Sequence, residues 1–489
     1  MAITSNVTPA AAPKRQTLAT AYIDFADGSS GNDWSQQYLP DLMEKESEVF
    51  GNRTVSGFLS QVGAEEGMAS DQVVWSEQSR LHLSYTMTMG GTGTTLTADF
   101  DADNQAVATS APMTTGHHGI RAGDMLLVSD ANSTVRAYVK AVAADGTCTI
   151  APYSNHANMN AAGIADATDN CKVLVFGSEY AKGNTGRARV NAPQFKSYSN
   201  KPIILKDKYE ISGSDASQIG WVEVSGEDGQ NGYLWYLKTA GDTRARFADY
   251  LEMAMIESQK ATGSGVADDA DASPGTNGGS IEGTEGLFAA IEARGNESTG
   301  ITGVNAATDL AEFDAILAEF DKNGAIEENM MFVNRATALA IDDMLASMNS
   351  YGAGGTSYGV FDNDEDMALN LGFSGFRRGS YDFYKSDWKY LNDKSTRGLI
   401  NEMDTVGAIR GVMVPAGVSS VYDENLGKNL KRPFLHVRYR ASQTESRKYK
   451  TWTTGSVGAV TSDLDAMEMH FLSERCLVTQ GANNFMLLN

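Results

Sequence analysis

The stretch Leu237–Lys260, LKTAGDTRARFADYLEMAMIESQK, decides the fold that the sequence predicts. Its apolar side chains recur at steps of three and four residues, as on one face of an α-helix. Asp242 is the expected N-cap and Gly263 the expected stop. Such a helix is a rod of roughly 30–35 Å. The apolar face consists of Phe247, Tyr250, Leu251, Ala254 and Met255.

This helix separates two differently patterned parts of the chain. Before it the sequence reads mainly as strands and loops, and after it helices alternate with strands. A chain of 489 residues with 42% hydrophobic residues can bury large cores and is expected to hold two to four domains or subdomains. The sequence therefore predicts two regions joined by one long helix.

The net charge, 39 − 62 = −23, excludes some functions. A protein that holds nucleic acid by broad charge neutralisation needs clustered Lys and Arg, and binding to anionic membranes needs them as well. The N-terminal sequence has no apolar signal-peptide core, and no run approaches the roughly 18 apolar residues of a membrane span. We expect a soluble protein that does not adhere to nucleic acid or membranes.

The three cysteines, Cys148, Cys171 and Cys476, do not form a disulfide framework. None lies in a CxxC pair, so zinc is not expected. A reducing compartment at synthesis fits this sparse, odd set.

The part before the long helix contains a polar arm and a β module. Residues 1–35 are polar and weakly patterned. Between Val73 and Phe100 the residues nearly alternate, which predicts a strand, a turn at GGTG and a returning strand. Residues 105–180 contain four short strands, with the Ala144-Asp145-Gly146 segment as a hairpin turn, and predict a small barrel or sandwich.

The part after the helix predicts an α/β layer. Ala307–Lys322 is expected to be a helix capped by a box that starts at Asp309 and stopped by Gly324. A short strand follows at residues 330–333, and Asn334 is expected to cap a helix over Arg335–Met348. Further strands are predicted at 382–385, 408–414, 434–441 and 466–472.

A search for catalytic and metal sites identifies no residue to which we assign a role. HExxH is absent. The GTSYG match at 355–359 lacks the preceding strand of a nucleophile elbow. The pair His117-His118 is expected to lie in a solvated turn, and Glu468 with His470 on a charged strand face. The aspartates at 99, 101 and 103, and at 362, 364 and 366, lack the Gly and Glu of a calcium loop. We expect no catalytic residue, no cofactor and no metal.

One basic cluster stands out in this acidic chain. It is either a solvated strand face or one side of a contact between copies of the chain. Its members are Lys428, Lys431, Arg432, Arg438, Arg440, Arg447, Lys448 and Lys450.

The order of these parts resembles the major capsid protein of tailed double-stranded DNA bacteriophages, the Hong Kong 97 fold. The resemblance depends on four features: the polar arm, the β-rich excursion, the long helix and the mixed α/β half that ends in strands. The segments IRAGDMLLV, RAYVKAVAADGTCTI and CKVLVFGSEYAKG look like a module inserted into the extended loop, as in some short-tailed, including crAss-like, phages. The resemblance implies an α+β fold with a spine helix, an extended N-terminal arm, an extended loop and an inserted small β module.

The resemblance also implies domain boundaries. They are an N-terminal arm at 1–60, an extended loop at 61–104 and 181–225, an inserted barrel-like module at 105–180, a peripheral domain at 226–325 with its spine helix at 237–260, an axial domain at 326–430, and return strands of the peripheral domain at 431–489.

The implied function is assembly rather than catalysis. Copies of the chain would form hexamers and pentamers of an icosahedral virion shell, after synthesis in the bacterial host cytoplasm. Its partners would be itself, neighbouring capsomers, and portal, scaffold and decoration proteins, with the scaffold as a separate chain. Packaged DNA would be touched only weakly and non-specifically, and membranes not at all. The alternatives are a tail, sheath or surface-layer protein built from β modules, and, third, an enzyme acting on polysaccharide.

Overall fold

The computed structural model describes residues 54–489 with gaps at 56, 63, 79, 114–116, 165–170, 187–194, 218–223, 226–230, 233–234, 262–280, 325, 349–374, 403–406, 417, 424–427 and 457–459. The described part is α+β, as predicted. The expected helix stop at 263, the GTSYG match and the aspartates at 362, 364 and 366 lie outside the described residues.

Eight α-helices lie in the described ranges: α1 Phe58–Val62, α2 Gly213–Ser217, α3 Trp235–Glu257, α4 Leu287–Arg294, α5 Ala306–Asn323, α6 Arg335–Met348, α7 Lys389–Asn392 and α8 Gly398–Asn401. None of them is both long and apolar enough to cross a membrane.

The strands of the described ranges are β1 Ala64–Met68, β2 Val73–Gln78, β3 Ser84–Met89, β4 Thr95–Asp101, β5 Asp124–Ser129, β6 Thr134–Val142, β7 Cys148–Pro152, β8 Cys171–Ser178, β9 Phe195–Asn200, β10 Ile203–Ser212, β11 Val224–Ser225, β12 Asn231–Gly232, β13 Asn296–Ser298, β14 Glu328–Val333, β15 Gly375–Arg378, β16 Tyr381–Asp387, β17 Gly411–Pro415, β18 Val418–Asp423, β19 Lys428–Pro433, β20 Leu435–Arg440, β21 Lys450–Gly455, β22 Ala466–Thr479 and β23 Met486–Leu488.

The chain divides into two compact units. The barrel unit comprises Ser70–Lys201 and Val478–Phe485, and the helix–sheet unit comprises Met1–Ala69, Pro202–Leu477 and Met486–Asn489. Each has its own apolar core.

The barrel unit is built around a closed six-stranded barrel with the order β3-β4-β7-β6-β5-β8. Alternate residues point inward, so Met87, Leu96, Leu126 and Val139 are fully buried. The barrel begins at Ser84 and not at the predicted boundary of residue 105, because the hairpin β3–β4 supplies two of the six strands that close it. The other predicted domain boundaries stay predictions.

The predicted Asp-Gly hairpin turn is confirmed. It joins β6 to β7, which pair antiparallel, and Gly146 has a φ of +89°. That left-handed conformation favours glycine, and the Asp145 side chain accepts the backbone N–H of Thr147 at 3.0 Å.

The helix–sheet unit contains two larger sheets. One has the order β1-β20-β22-β10, with β21 also pairing with β22. The other has the order β13-β23-β17-β14-β16-β15. Buried residues of α5 and α6, including Phe313, Phe320 and Ile341, belong to one core with residues of the second sheet such as Phe383. This helix–strand–helix layer is as predicted.

The caps of α5 and α6 can be compared with those predicted from the sequence. Gly324 ends α5 in the left-handed conformation, with a φ of +63°, and Asn334 accepts the backbone N–H of Thr337 at 2.8 Å, as predicted. The prediction of a capping box that starts at Asp309 is wrong, because Asn305 is the N-cap and its side chain accepts the backbone N–H of Thr308. Asp309 is buried and accepts the N–H of Gly303 at 2.9 Å.

The predicted long helix is α3, here called the spine helix. It starts at Trp235, so the expected N-cap Asp242 lies inside it and that prediction is wrong. It ends at Glu257, before the predicted end at Lys260.

Candidate assembly site

The spine helix contacts three separate parts of the helix–sheet unit. Its apolar face places Phe247 and Leu251 against Phe471 of β22, and the Phe247 and Tyr449 rings meet edge to face at 5.5 Å. Tyr250, predicted on this face, is 48% exposed. The apolar face that the helix packs against the sheet is therefore narrower than the face predicted from the sequence.

Two carboxylates of the spine helix hold the start of the described chain. Asp249 Oδ1 accepts the backbone N–H of Val55 at 3.1 Å. Glu252 accepts the N–H of Gly57 at 2.7 Å through Oε2 and that of Leu59 at 3.1 Å through Oε1. The first N–H groups of a helix have no partner within it, and Glu252 supplies one for α1. Residues 58–60, part of the predicted extended arm, are thus helical.

Aromatic contacts of Phe58 also hold the segment at 54–62 in place. Phe58 is 3% exposed and stacks on Trp388, with ring centroids 4.5 Å apart and an interplanar angle of 24°. Its ring also meets Phe332 edge to face at 4.6 Å. Such pairs add about 0.5–1.5 kcal/mol beyond the burial itself. The Lys389 ammonium donates to the Thr54 carbonyl at 3.4 Å.

Burial changes the titration of the clamp formed by Glu252. Burial raises the pKa of the Glu252 carboxyl above its ordinary value, and the backbone N–H groups of Gly57, Leu59 and Phe58 oppose that rise. Burial lowers the pKa of the Arg475 guanidinium below its ordinary value, and the negative charge of Glu252 opposes that decrease. The segment is therefore held by a carboxylate with little access to water.

The last residue of the spine helix makes the third contact. Glu257 accepts the Tyr390 hydroxyl at 2.6 Å and the Arg397 Nη1 at 2.6 Å. Burial first, and then this carboxylate, raise the pKa of Tyr390 well above its usual range. Arg397 also donates to the Gly407 carbonyl at 2.9 Å. One rod thus joins the segment at 54–62, a sheet and the segment at 388–407.

The barrel unit carries a two-stranded ribbon, in which β2 and β9 pair antiparallel. Trp75 lies on its buried face, 7% exposed, and donates Nε1–H to Glu77 Oε1 at 3.0 Å. On the opposite face Val74 and Phe195 are each 62% exposed. No third strand pairs with this ribbon in the described ranges.

The pair His117-His118 is buried, so the predicted solvated turn is wrong. His118 is 2% exposed; its Nε2 lies against the Gly146 carbonyl and 3.7 Å from Cys148 Sγ. Its ring meets that of Tyr85 edge to face. Burial lowers the pKa of His118 and raises that of Cys148 to about 12, so the imidazole and the thiol both favour their neutral forms.

The predicted charged strand face at Glu468 and His470 is present. Thr454 Oγ1 lies 2.7 Å from His470 Nε2 and 3.2 Å from Glu468 Oε2, and Lys208 pairs with Glu468 at 3.1 Å.

The aspartates near residue 101 form a turn. Asp101 Oδ1 accepts the N–H groups of Asp103 and Gln105. Where side chains are described, no group of three His, Cys, Asp or Glu residues could hold a metal ion.

The basic cluster is paired with carboxylates of its own chain. Arg438 contacts Glu66 at 2.8 Å and Arg447 contacts Glu474 at 2.6 Å. Lys448 pairs with Glu65. Arg440 and Lys450 likewise have Glu474 and Glu445 within ion-pair distance. The side chains of Lys428, Lys431 and Arg432 lie outside the described set. Each of the five described members thus pairs with a carboxylate of its own chain, and both sequence interpretations stay predictions.

Sequence reasoning missed the clamp residues Phe58, Asp249 and Glu252. The available signal was the three-residue spacing of the two acids, which places them on one helix face. Their partners lie about 195 positions earlier in the chain, so no local pattern joins them.

No protein-family model and no curated protein matches the chain. Its structure is similar to solved structures from phages and from a GTA particle. A structure of Gordonia phage Cozz matches with a TM-score of 0.41 and 10% identity over 97% of both chains. The mature capsid of bacteriophage PhiM1 matches with 0.40 and 9% over 96% of both chains. The capsid of a native GTA particle matches with 0.37 and 9%, over 95% of this chain and 98% of that one.

These solved chains include capsids, the class named by the sequence resemblance.

Proposed function

We propose that this chain is a structural, non-enzymatic shell protein: the major capsid protein of a tailed double-stranded DNA bacteriophage, with a Hong Kong 97-type fold. Copies assemble into hexamers and pentamers that close an icosahedral shell. The observation that carries the proposal is the ribbon β2–β9, with one face anchored by Trp75 and the other exposing Val74 and Phe195.

An isolated two-stranded ribbon is marginal in water, and stability needs further strands or a packed face. Burying a Val or Phe side chain contributes roughly 1.5–3 kcal/mol. Val74 and Phe195 forgo most of this gain in one copy. A neighbouring copy that covers this face supplies it, and one such contact repeats at every position of a shell.

The clamp on the spine helix complements the ribbon. Glu252, Asp249 and Phe58 fix residues 54–62 within the subunit, so each copy has a firm body from which contacts can extend. The net charge of −23 disfavours tight binding to DNA, which suits a wall that encloses it. We assign portal, scaffold and decoration proteins as further partners, and the virion as the location.

The proposal is tested by the assembly of the full-length chain. Sedimentation velocity and negative-stain microscopy of the purified protein are expected to show closed shells under assembly conditions. The double variant V74D/F195D is expected to leave mostly unassembled chain. V304D is the matched control, because Val304 is 72% exposed and lies in the other unit.

The outcomes separate the alternatives. Stable monomers of the unmodified chain under every assembly condition contradict the proposal. Tubes or flat lattices in place of closed shells favour a tail, sheath or surface-layer protein. Equal loss of assembly in V304D removes the ribbon as the responsible surface.

A further inference from the structure

The outer wall of the barrel contains a groove of about 420 Å³ between β3, β5, β8 and the turn that follows β4. The groove is open to solvent, so a side chain of another molecule can reach its floor. The wall supplies apolar surface through Leu127 and Leu174, and hydroxyls through Ser84, Thr86 and Ser129.

One lysine lies in this groove. Lys172 Nζ donates to Thr86 Oγ1 at 2.6 Å. An ammonium has three N–H donors, so two remain for a ligand. Asp101 also lines the groove, but its Oδ1 already accepts two backbone N–H groups of its own turn. Within the described ranges Lys172 forms no ion pair with a carboxylate, unlike Lys208, Lys322, Lys385 and Lys394.

Exposed apolar side chains share the outer wall of the barrel with this lysine. Leu174 and Phe176 follow Lys172 at alternate positions of β8 and are 40% and 48% exposed. Phe100 of β4 is 41% exposed. A fixed cation beside exposed apolar side chains suits a carboxylate that is flanked by apolar residues.

The distribution of charge indicates which partner supplies that carboxylate. The barrel unit has ten Lys and Arg against eleven Asp and Glu, a net charge of 10 − 11 = −1, and the rest of the chain carries −23 − (−1) = −22. In an assembly made of this chain, the helix–sheet unit is the most abundant source of carboxylates. A groove with one lysine, in a unit of nearly neutral net charge, is complementary to such a surface.

We propose that the groove at Lys172 is a contact site for a second copy of this chain, which inserts an Asp or Glu side chain of its helix–sheet unit. The proposal rests on the proposed self-assembly and adds a specific site and partner to it. The occupied site buries Leu174 and pairs Lys172 with the carboxylate. Contacts of this kind set the rate and the salt dependence of association more than its final affinity.

The test is amine labelling of the full-length chain before and after assembly. Acetylation read by mass spectrometry is expected to fall several-fold at Lys172 in particles. It should stay unchanged at Lys182, an exposed lysine of the same unit. A carbodiimide, applied to particles mixed from ¹⁴N and ¹⁵N chains, is expected to join Lys172 to an acidic residue of the other isotope.

Charge variants give the kinetic arm of the test. K172E is expected to slow assembly about tenfold at low salt, K172R to retain it, and K182E to leave it unchanged. Equal labelling of Lys172 in free chains and particles, or equal rates for K172E and K182E, overturns the contact and leaves self-assembly standing. Absence of any particle from the unmodified chain overturns both.

Discussion

The barrel unit and the helix–sheet unit bury their apolar side chains in different ways. The barrel closes on itself, so its six strands have no free edge, and every described residue of its core lies between Leu83 and Val175. The helix–sheet unit has open sheets, and its spine helix contacts distant segments through polar contacts at Glu252 and aromatic contacts at Phe247. A closed element can be inserted as a whole, whereas an open one depends on contacts between remote residues.

The substitution Phe58→Ala is expected to produce the largest difference in stability between the two units. It removes a buried aromatic ring from its contacts with Trp388 and Phe332, at a cost of about 3–5 kcal/mol. Hydrogen exchange read by mass spectrometry should rise at 54–62, in α3 and around residue 388. Peptides of β5, β6 and β8 should keep their protection. Equal loss of protection in the barrel would refute the independence of the units.

The converse substitution is Leu126→Ala in the barrel. Leu126 is fully buried, so the cavity is expected to cost about 2–5 kcal/mol. Exchange should rise across the six barrel strands and stay unchanged in α3 and α5. L399A, on a side chain that is 57% exposed, serves as the control and should shift neither unit.

Glu252→Ala tests the polar half of the clamp. It leaves the N–H groups of Gly57 and Leu59 without their acceptor, at a cost of about 1–3 kcal/mol. Protection should fall at 54–62 first. Unchanged exchange at those residues would show that Phe58 alone holds the segment.

The pH dependence of the clamp follows from the raised pKa of Glu252. The folded state holds this proton at pH values where the unfolded chain has lost it. The resulting stability is fully present below the ordinary glutamate pKa and is lost as the pH rises through the raised value. Relative to E252Q, the wild-type chain should become more resistant to urea as the pH falls from neutral towards that range. A constant difference between the two chains would contradict it.

The smallest expected effect is a difference in thiol reactivity. Burial raises the pKa of Cys148 in the barrel and of Cys476 in the helix–sheet unit, each to about 12. Both should react slowly with iodoacetamide near pH 8, since the thiolate is the nucleophile. In the Phe58→Ala variant, alkylation should accelerate at Cys476 and not at Cys148. Acceleration at both would show that the units open together.

The parts predictable from sequence were those encoded by near neighbours. A period of two and an Asp-Gly turn located β6 and β7, and a period near 3.6 located α3, α5 and α6. The choice of Asn305 over Asp309 as a cap depends on how a loop enters its helix. The burial of His118 depends on barrel closure, which brings it to Cys148, 30 positions later. Glu252 reads as a solvated helix residue until the partner from residue 57 is in place.

The three contacts of the spine helix also make it a mechanical link. From Asp249 to Glu257 the helix rises about 12 Å. Tension applied to residues 54–62 would pull on the hydrogen bonds at Asp249 and Glu252 and pass along the rod to Glu257, Tyr390 and Arg397. A load on residues 54–62 would thus reach the segment around Tyr390 by two routes, along the helix and directly through the stack of Phe58 on Trp388.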